Sequence, residues 1–559
     1  MLLADGFYYL HNFQRVLDSV AGRYADLLDE SELRFVRGFE QVPKASRALA
    51  VRMITRKPRL FLPEDLQYPE IGPLPGAMPA LLNAGWVHPD PHLTIDDLFA
   101  IFTKSRLLQL LHLPRGTSQL SKSALLEQCR AVFTMAQSIG GWCPGTALQL
   151  YRLDIAALCE RLRLLYFGNF HQSWSEFVLA DLGVRRFEHV SDIAARPFTR
   201  RQHWQSFERI HRCREMLRAD VTPQQILDQV PSPLEDCEWL EARRQRLLFR
   251  IGRSLEHAAD PQAALAVYDR ISHPGAAVRA IRIRESREEP ARTLQACDAA
   301  LDFCVHEEDR VLLLRARTRL RRRLALDPSP KPSASALSPD ALGLVLDRPA
   351  QPYAVEQVVG EFLMRQESGS QVHFVENSLL NGLFGLLCWR ALFAPIAGAF
   401  FHPFHREPAD LGDAQFYGRR RELFAACLAE LEDGTYRRTI LANFAAKHGI
   451  DNAFVAWPVI SRRLLRTALA CIPAPHLKAW FELMARDFRA NRCGFPDLIQ
   501  LWPRQRRYRL IEVKAPGDRL QDNQRRVLSL CAAFNMPVAV CKVQWREPQP
   551  VPRSLKEKC

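Results

Sequence analysis

The segment from Gly382 to Phe401, GLFGLLCWRALFAPIAGAFF, decides between two kinds of protein. An apolar run of about 20 residues is long enough to span a bilayer. Two of its residues argue for a different solvent. Arg390 sits near the middle, where insertion into lipid costs about 2.5–3.5 kcal/mol, and Pro395 interrupts a helix. No second stretch of this kind accompanies it. The segment is therefore expected to be a helix buried in a globular core, with no membrane partner.

The charge balance points to a different partner. The chain of 559 residues carries 76 Lys plus Arg against 62 Asp plus Glu, a formal net charge of +14, and only 11 of the basic residues are lysines. With 47% apolar and 25% charged residues the composition excludes intrinsic disorder. At roughly 100–200 residues per domain, three to five domains are expected. A basic excess of this size favours a polyanion. The 14 cysteines never form a CxxC pair, which argues against zinc ribbons and fingers and for reduced, buried thiols of a cytoplasmic protein. Asp5 lies in the first apolar stretch and no cleavage site follows, so no secretory signal is expected.

Helical periodicity dominates the first 325 residues. In YYLHNFQRVLDSVAGRYADLL, Leu10, Phe13, Leu17 and Val20 recur at helical spacing. An N-terminal helical domain is assigned to 1–90. In it Arg52, Arg56, Lys57 and Arg59 stand beside an apolar face, a pattern that suits phosphate contact and equally a solvated surface. A second helical region, 91–235, opens with two leucine-rich helices around a Pro-Arg-Gly turn, the second capped by Ser121. This pair resembles a SAP-type DNA-binding motif, with Arg115 and Lys122 placed to meet a backbone; an ordinary helical hairpin would read the same way. Over 236–325, DPQAALAVYDRI and EPARTLQACDAAL form a loose repeat like a tetratricopeptide (TPR) solenoid. Its last helix carries seven arginines from Arg310 to Arg323, among them Arg315, Arg319 and Arg322, with no acid after Asp309. That run fits a nucleic-acid surface better than a solvated face. The Pro/Ser/Ala-rich stretch at 326–349 is expected to be a linker, and 350–548 an α/β domain.

The chemistry concentrates near the C-terminal end of that domain. In GFPDLIQLWPRQRRYRLIEVKAPGD, a period of two puts Tyr508, Leu510, Glu512 and Lys514 on one face of a strand and Ile511 and Val513 on the other. Burying an acid and a lysine together without a task is costly, and a metal resolves it. Asp518 with Gln521 suggests a capping box for the next helix, and Gln524 falls oddly within that helix's apolar stripe. Asp497 of Pro-Asp followed by Glu512-Val513-Lys514 is the pattern of a PD-(D/E)xK nuclease core. Hard carboxylate oxygens suit Mg²⁺ or Mn²⁺, and a lysine can orient or deprotonate the attacking water. An exposed hairpin with a surface ion pair would contain the same residue types. Two histidine groups, His402 with His405 and His88 with His92, lack a third ligand at useful spacing, and His373 stands three residues before Glu376.

GFPDL, YRLIEVKAPGDRL, Gln524 and the upstream VENSLLNGLFGLLCWRALF together resemble the VRR-NUC nuclease domain. With YYLHNF, VRMITRK, the SAP-like pair and the solenoid, they follow the order of the Fanconi-associated nuclease 1 family. That resemblance implies a restriction-endonuclease-like α/β nuclease domain behind a mostly helical N-terminal two-thirds. It implies a structure-selective nuclease that cuts 5′-flap and branched DNA, with 5′-to-3′ exonuclease activity and a role in interstrand crosslink repair. By position it makes Glu376, Asp497 and Glu512 metal ligands and Lys514 catalytic, with the Val513 carbonyl and Gln524 in support. Eukaryotic members carry a ubiquitin-binding zinc finger that no Cys/His set here could build, so a bacterial-type, nucleoid-associated member is expected. Two other functions fit the same residues: a DNA-binding repair scaffold with a silent nuclease domain, or the same core acting on four-way junctions or RNA.

Overall fold

The computed structural model describes residues 6–546, leaving out 58, 112–116, 146–147, 191–195, 220, 305–306, 327–339, 350–352 and 414. The chain divides into two compact units, one running to Arg185 and including Arg196–Arg212, the other formed by Arg186–Ala195 and the chain from Cys213 onward. The region expected as one domain over 91–235 is thus shared between them.

In the first unit, helix Tyr8–Tyr24 buries Leu10, Phe13, Val16, Leu17 and Val20 along one stripe, as the periodicity requires. The next helix, Glu30–Phe39, starts with a reciprocal Asp29–Glu32 capping box. Three two- or three-residue strands form an antiparallel sheet with Tyr151–Leu153 in the middle. Helices Ile95–Ile101 and Lys122–Val132 share a core of Leu98, Phe99, Leu107, Leu125 and Cys129. Ser121 caps the second of them, its hydroxyl accepting from Ala124 N at 3.2 Å. The turn holding Arg115 lies outside the described residues.

The second unit begins with helices packed neighbour on neighbour: Glu238–His257, Pro261–Tyr268, Ala276–Arg287, Pro290–Asp302 and α1 (Glu307–Arg323). Small residues permit the close packing; a Cβ at Gly252 would stand 2.6 Å from the Tyr268 ring. A five-stranded sheet follows, built from β1 (Asp340–Asp347), β2 (Gln371–Phe374), β3 (Leu498–Trp502), β4 (Arg507–Lys514) and β5 (Val538–Arg546). Three helices frame it: α2 (Val355–Gln366), α3 (Leu379–Leu387) and α4 (Asp522–Ala533). The order is β1-β5-β4-β3-β2, with β5 parallel to both its neighbours and the remaining pairs antiparallel. Val359 and Leu363 of α2 cover one face against Leu498, Ile511 and Val513. The larger core lies on the other face, over Ile499, Leu501, Tyr508 and Leu510.

Three expectations need correction. The linker drawn at 326–349 ends in a sheet strand: β1 pairs with β5 along its whole length, so the α/β domain begins before residue 350. Its alternation, with Leu344 and Leu346 buried and Val345 exposed, is short and stands beside a Pro/Ser-rich stretch that hides it. The segment Gly382–Phe401 is buried, but not as one helix. Helix α3, apolar except for Asn381 and buried at every residue, gives way to a short helix at Trp389–Leu392, and the chain has left helical geometry before Pro395. Arg390 turns outward to Glu430 at 3.2 Å. Among the described residues no helix is long and apolar enough to cross a membrane. Finally, α4 is capped by Gln521 with Gln524, whereas Asp518 closes the preceding turn by accepting from Ala515 N at 3.1 Å.

Candidate active site

The pairing of β3 with β4 creates the site. Leu498 faces Ile511 across the antiparallel ladder, so one step further residue 497 faces residue 512. Asp497 Oδ2 accepts from Val513 N at 2.8 Å, and its own carbonyl accepts from Val375 N at 2.9 Å. The ends of β2, β3 and β4 are thereby joined at one place. Glu512 follows Leu510 on the larger-core face and is 1% exposed. Its Oε1 lies 2.8 Å from Lys514 Nζ and accepts from Gln524 Nε2 at 2.6 Å. Gln524 Oε1 accepts in turn from Lys514 Nζ at 3.0 Å and from Gln521 N at 2.9 Å. The amide that looked misplaced on an apolar stripe thus bridges the acid, the lysine and the start of α4. Gly494 allows the helix to dock there: at φ +93, a Cβ would lie 2.8 Å from the Asn523 backbone.

Glu376 lies in the turn between β2 and α3. It is exposed, and its Oε1 accepts from Asn377 Nδ2 at 3.1 Å. Asn377, in the left-handed region at φ +51, accepts from Phe495 N at 3.1 Å and so ties this turn to the loop before Asp497. Glu376 adds negative charge to the site. Burial first, then Glu356 and Glu376, push the Asp497 carboxyl up to about 6 against the opposing Val513 amide and Lys514. Burial likewise raises Glu512 to about 7, with Asp497 and Glu376 adding to it and Lys514 opposing. Among the described residues no three His, Cys, Asp or Glu side chains are gathered as around a bound ion. Glu376 instead bonds Asn377, and Glu512 bonds Lys514 and Gln524. The donor set, carboxylates with excess negative charge, still fits a hard divalent cation.

The basic residues fall into distinct environments. Arg52 lies against Glu70 at 2.5 Å and 3.9 Å above the Tyr9 ring, which gives it a structural task. Arg56 donates to the Asp65 carbonyl at 2.8 Å, while Lys57 and Lys122 are exposed. On α1, Arg315, Arg319 and Arg322 share an exposed stripe. Arg319 meets Glu285 at 2.8 Å, and Arg315 lies 3.7 Å from Asp522 of α4. The run that has no acid in sequence thus finds acids from other helices. Sequence reasoning missed a tighter group: burial and then Arg246, Arg489 and Arg214 hold Arg243 down at about 10. Arg243 and Arg246, three apart on one helix, were legible as a pair, but Arg489 comes from another segment. His402 and His405 stack 4.0 Å apart and accept from loop amides, and His373 is half-buried in β2 beside Ile499.

A mixed sheet that presents Asp, Glu-x-Lys and a bridging Gln at one end is the core of a PD-(D/E)xK nuclease, and the VRR-NUC domain model matches residues 431–545. A model described as FAN1, HTH domain matches residues 7–88. The chain is 46% identical over 544 residues to the Fanconi-associated nuclease 1 homolog of Pseudomonas aeruginosa, covering 97% of both chains. It is 24% identical to the homolog of Oryza sativa over 96% of this chain and 62% of that one. A crystal structure of paFAN1 bound to 2nt 5′flap DNA with gap superposes at a TM-score of 0.93 and 45% identity, over 98% of this chain and 100% of that chain. The chain belongs to the Fanconi-associated nuclease 1 family, whose members are metal-dependent DNA nucleases.

Proposed function

We propose that this protein cuts 5′-flap and related branched DNA with Mg²⁺ or Mn²⁺, as a flap endonuclease and 5′-to-3′ exonuclease in the repair of interstrand crosslinks in the bacterial cytoplasm. The single observation that carries the reading is the half-buried Asp497 beside the buried Glu512, with Lys514 Nζ 2.8 Å from Glu512. A bound divalent ion supplies polarisation of the scissile phosphate and acidification of a water. Asp497, Glu512, Glu376 and the Val513 carbonyl are the groups to hold it. Lys514 Nζ is the group to orient or deprotonate the attacking water. Gln524 fixes Lys514 and Glu512 relative to one another, so both enter the reaction already placed. Exposed cations, among them Lys57, Lys122, Arg315 and Arg322, and the self-repelling Arg243, Arg246 and Arg489 are assigned to DNA phosphates.

The test is cleavage of an end-labelled 5′-flap duplex with Mg²⁺ or Mn²⁺ against EDTA. Cutting is expected only with metal, and Asp497→Ala is expected to abolish it. Equal cutting by wild type and Asp497→Ala overturns the reading, and salt-sensitive DNA binding with no metal-dependent product points to a scaffold instead.

A further inference from the structure

An acid outside the sequence motif reaches the same end of the sheet. Helix α2 lays Val359 and Leu363 on Leu498, Ile511 and Val513, and a Cβ at Gly360 would come within 3.4 Å of Val372 Cγ1. Residue 360 of the helix therefore stands over residue 372 of β2. The chain reverses between them, so helix and strand run antiparallel. Four residues back along the helix is about 6 Å, and two residues forward along the strand is about 6.6 Å. Glu356 thus comes level with Phe374, at the point where the strand passes through Val375, bonded to the Asp497 carbonyl at 2.9 Å, into Glu376. Glu356 is half-buried in the first turn of α2. Four carboxylates then gather near one lysine, and among the described residues no ion pair joins Glu356, Glu376 or Asp497 to an arginine.

We infer that Glu356 is a further acidic residue of the cation site, acting on the bound ion from the α2 side together with Glu376. It is a positioning residue: its carboxylate adds charge where the ion sits and holds the ion's place beside Asp497. The inference rests on the metal-dependent reading above, and one experiment separates the two. Mn²⁺ binding to the metal-free full-length protein is measured by electron paramagnetic resonance for wild type, Glu356→Gln, Glu356→Asp and Asp497→Ala, with a thermal melt of each.

Glu356→Gln is expected to weaken Mn²⁺ binding about 10-fold, and Glu356→Asp, which keeps the charge, to retain most of the affinity. Because removing a repelling charge relieves the metal-free site, Glu356→Gln is expected to raise the metal-free melting temperature by about 1–2 °C. An unchanged Mn²⁺ isotherm for Glu356→Gln, or a lowered metal-free melting temperature, overturns the assignment and leaves Glu356 a structural residue. If Asp497→Ala binds Mn²⁺ as wild type does, the cation site itself is wrong and the assignment falls with it.

Discussion

Two places in the second unit bury charge, and they do so in opposite ways. Arg420 meets Asp410 through Nη1 to Oδ2 at 2.7 Å and Nη2 to Oδ1 at 2.9 Å, with its guanidinium 4.3 Å from the Phe416 ring. Both are almost fully buried; Arg419 adds a second guanidinium 3.3 Å from Asp410 and Asp413 lies beside them, so cations and anions still match in number. At the end of the sheet the acids outnumber their partner. Glu512 takes Lys514 and Gln524, while among the described residues the Asp497 carboxylate takes the Val513 amide alone. The balanced pair holds the fold together. In the unbalanced set burial first, then the neighbouring acids, raises the proton affinities of Asp497 and Glu512, and a ligand of opposite charge relieves that, so local charge balance separates a structural site from a reactive one.

The comparison breaks first if the balanced pair proves dispensable. Asp410→Ala leaves Arg420 buried without its anion and is expected to destabilise the protein by about 3–5 kcal/mol, read by thermal or urea unfolding. A loss near zero would mean that the pair is not structural. At the unbalanced site the effect moves from stability to rate. Lys514→Arg keeps the charge, but its fork does not fit the space between Glu512 and Gln524 and it cannot accept a proton. Cleavage of the flap substrate is expected to fall about 100-fold with the fold intact. Near-normal cutting by that variant would remove the role given to the lysine.

The next expectation concerns pH. Glu512 is raised to about 7 in the folded protein from an ordinary value of 4.5. A carboxyl raised by folding stabilises the folded state below its ordinary value, and that contribution is lost as pH rises through the folded value. The melting temperature of metal-free wild type should therefore decline between about pH 4.5 and 7 and level off above that. Glu512→Gln, which resembles the protonated acid, should show a shallower decline. Equal slopes for the two proteins would place the titration elsewhere. The smallest effect belongs to the basic surface. Arg322→Ser should weaken DNA binding only a few-fold and reduce the salt-dependence slope by about 1. Arg319→Ser should do less, because Glu285 already engages that guanidinium.

Much of the site was visible before the structure. Strict alternation in YRLIEVKA placed Glu512 and Lys514 on one face, and they are in contact. The anomaly of Gln524 pointed to a polar neighbour, which proved to be both of those residues. What was not visible depends on contacts remote in sequence. Glu356 shares no motif with Asp497 and nears it only because α2 folds back over β2. The strand Asp340–Asp347 was hidden because its pairing partner lies nearly two hundred residues later. Arg52 read as a free cation until Glu70 and Tyr9 closed on it.

By itself the sequence determined which residue types alternate on a strand, where helices are apolar on one face, and that an acid and a lysine leave one strand side by side. Those are properties of backbone periodicity, and they survive without knowledge of neighbours. The tertiary structure decided the charge balance at each site. It set Asp497 across from Glu512, gave Arg420 an acid and left the end of the sheet with too many. Proton affinity and ion affinity depend on burial and on which charges stand within a few ångströms, and only the packed chain brings those charges together.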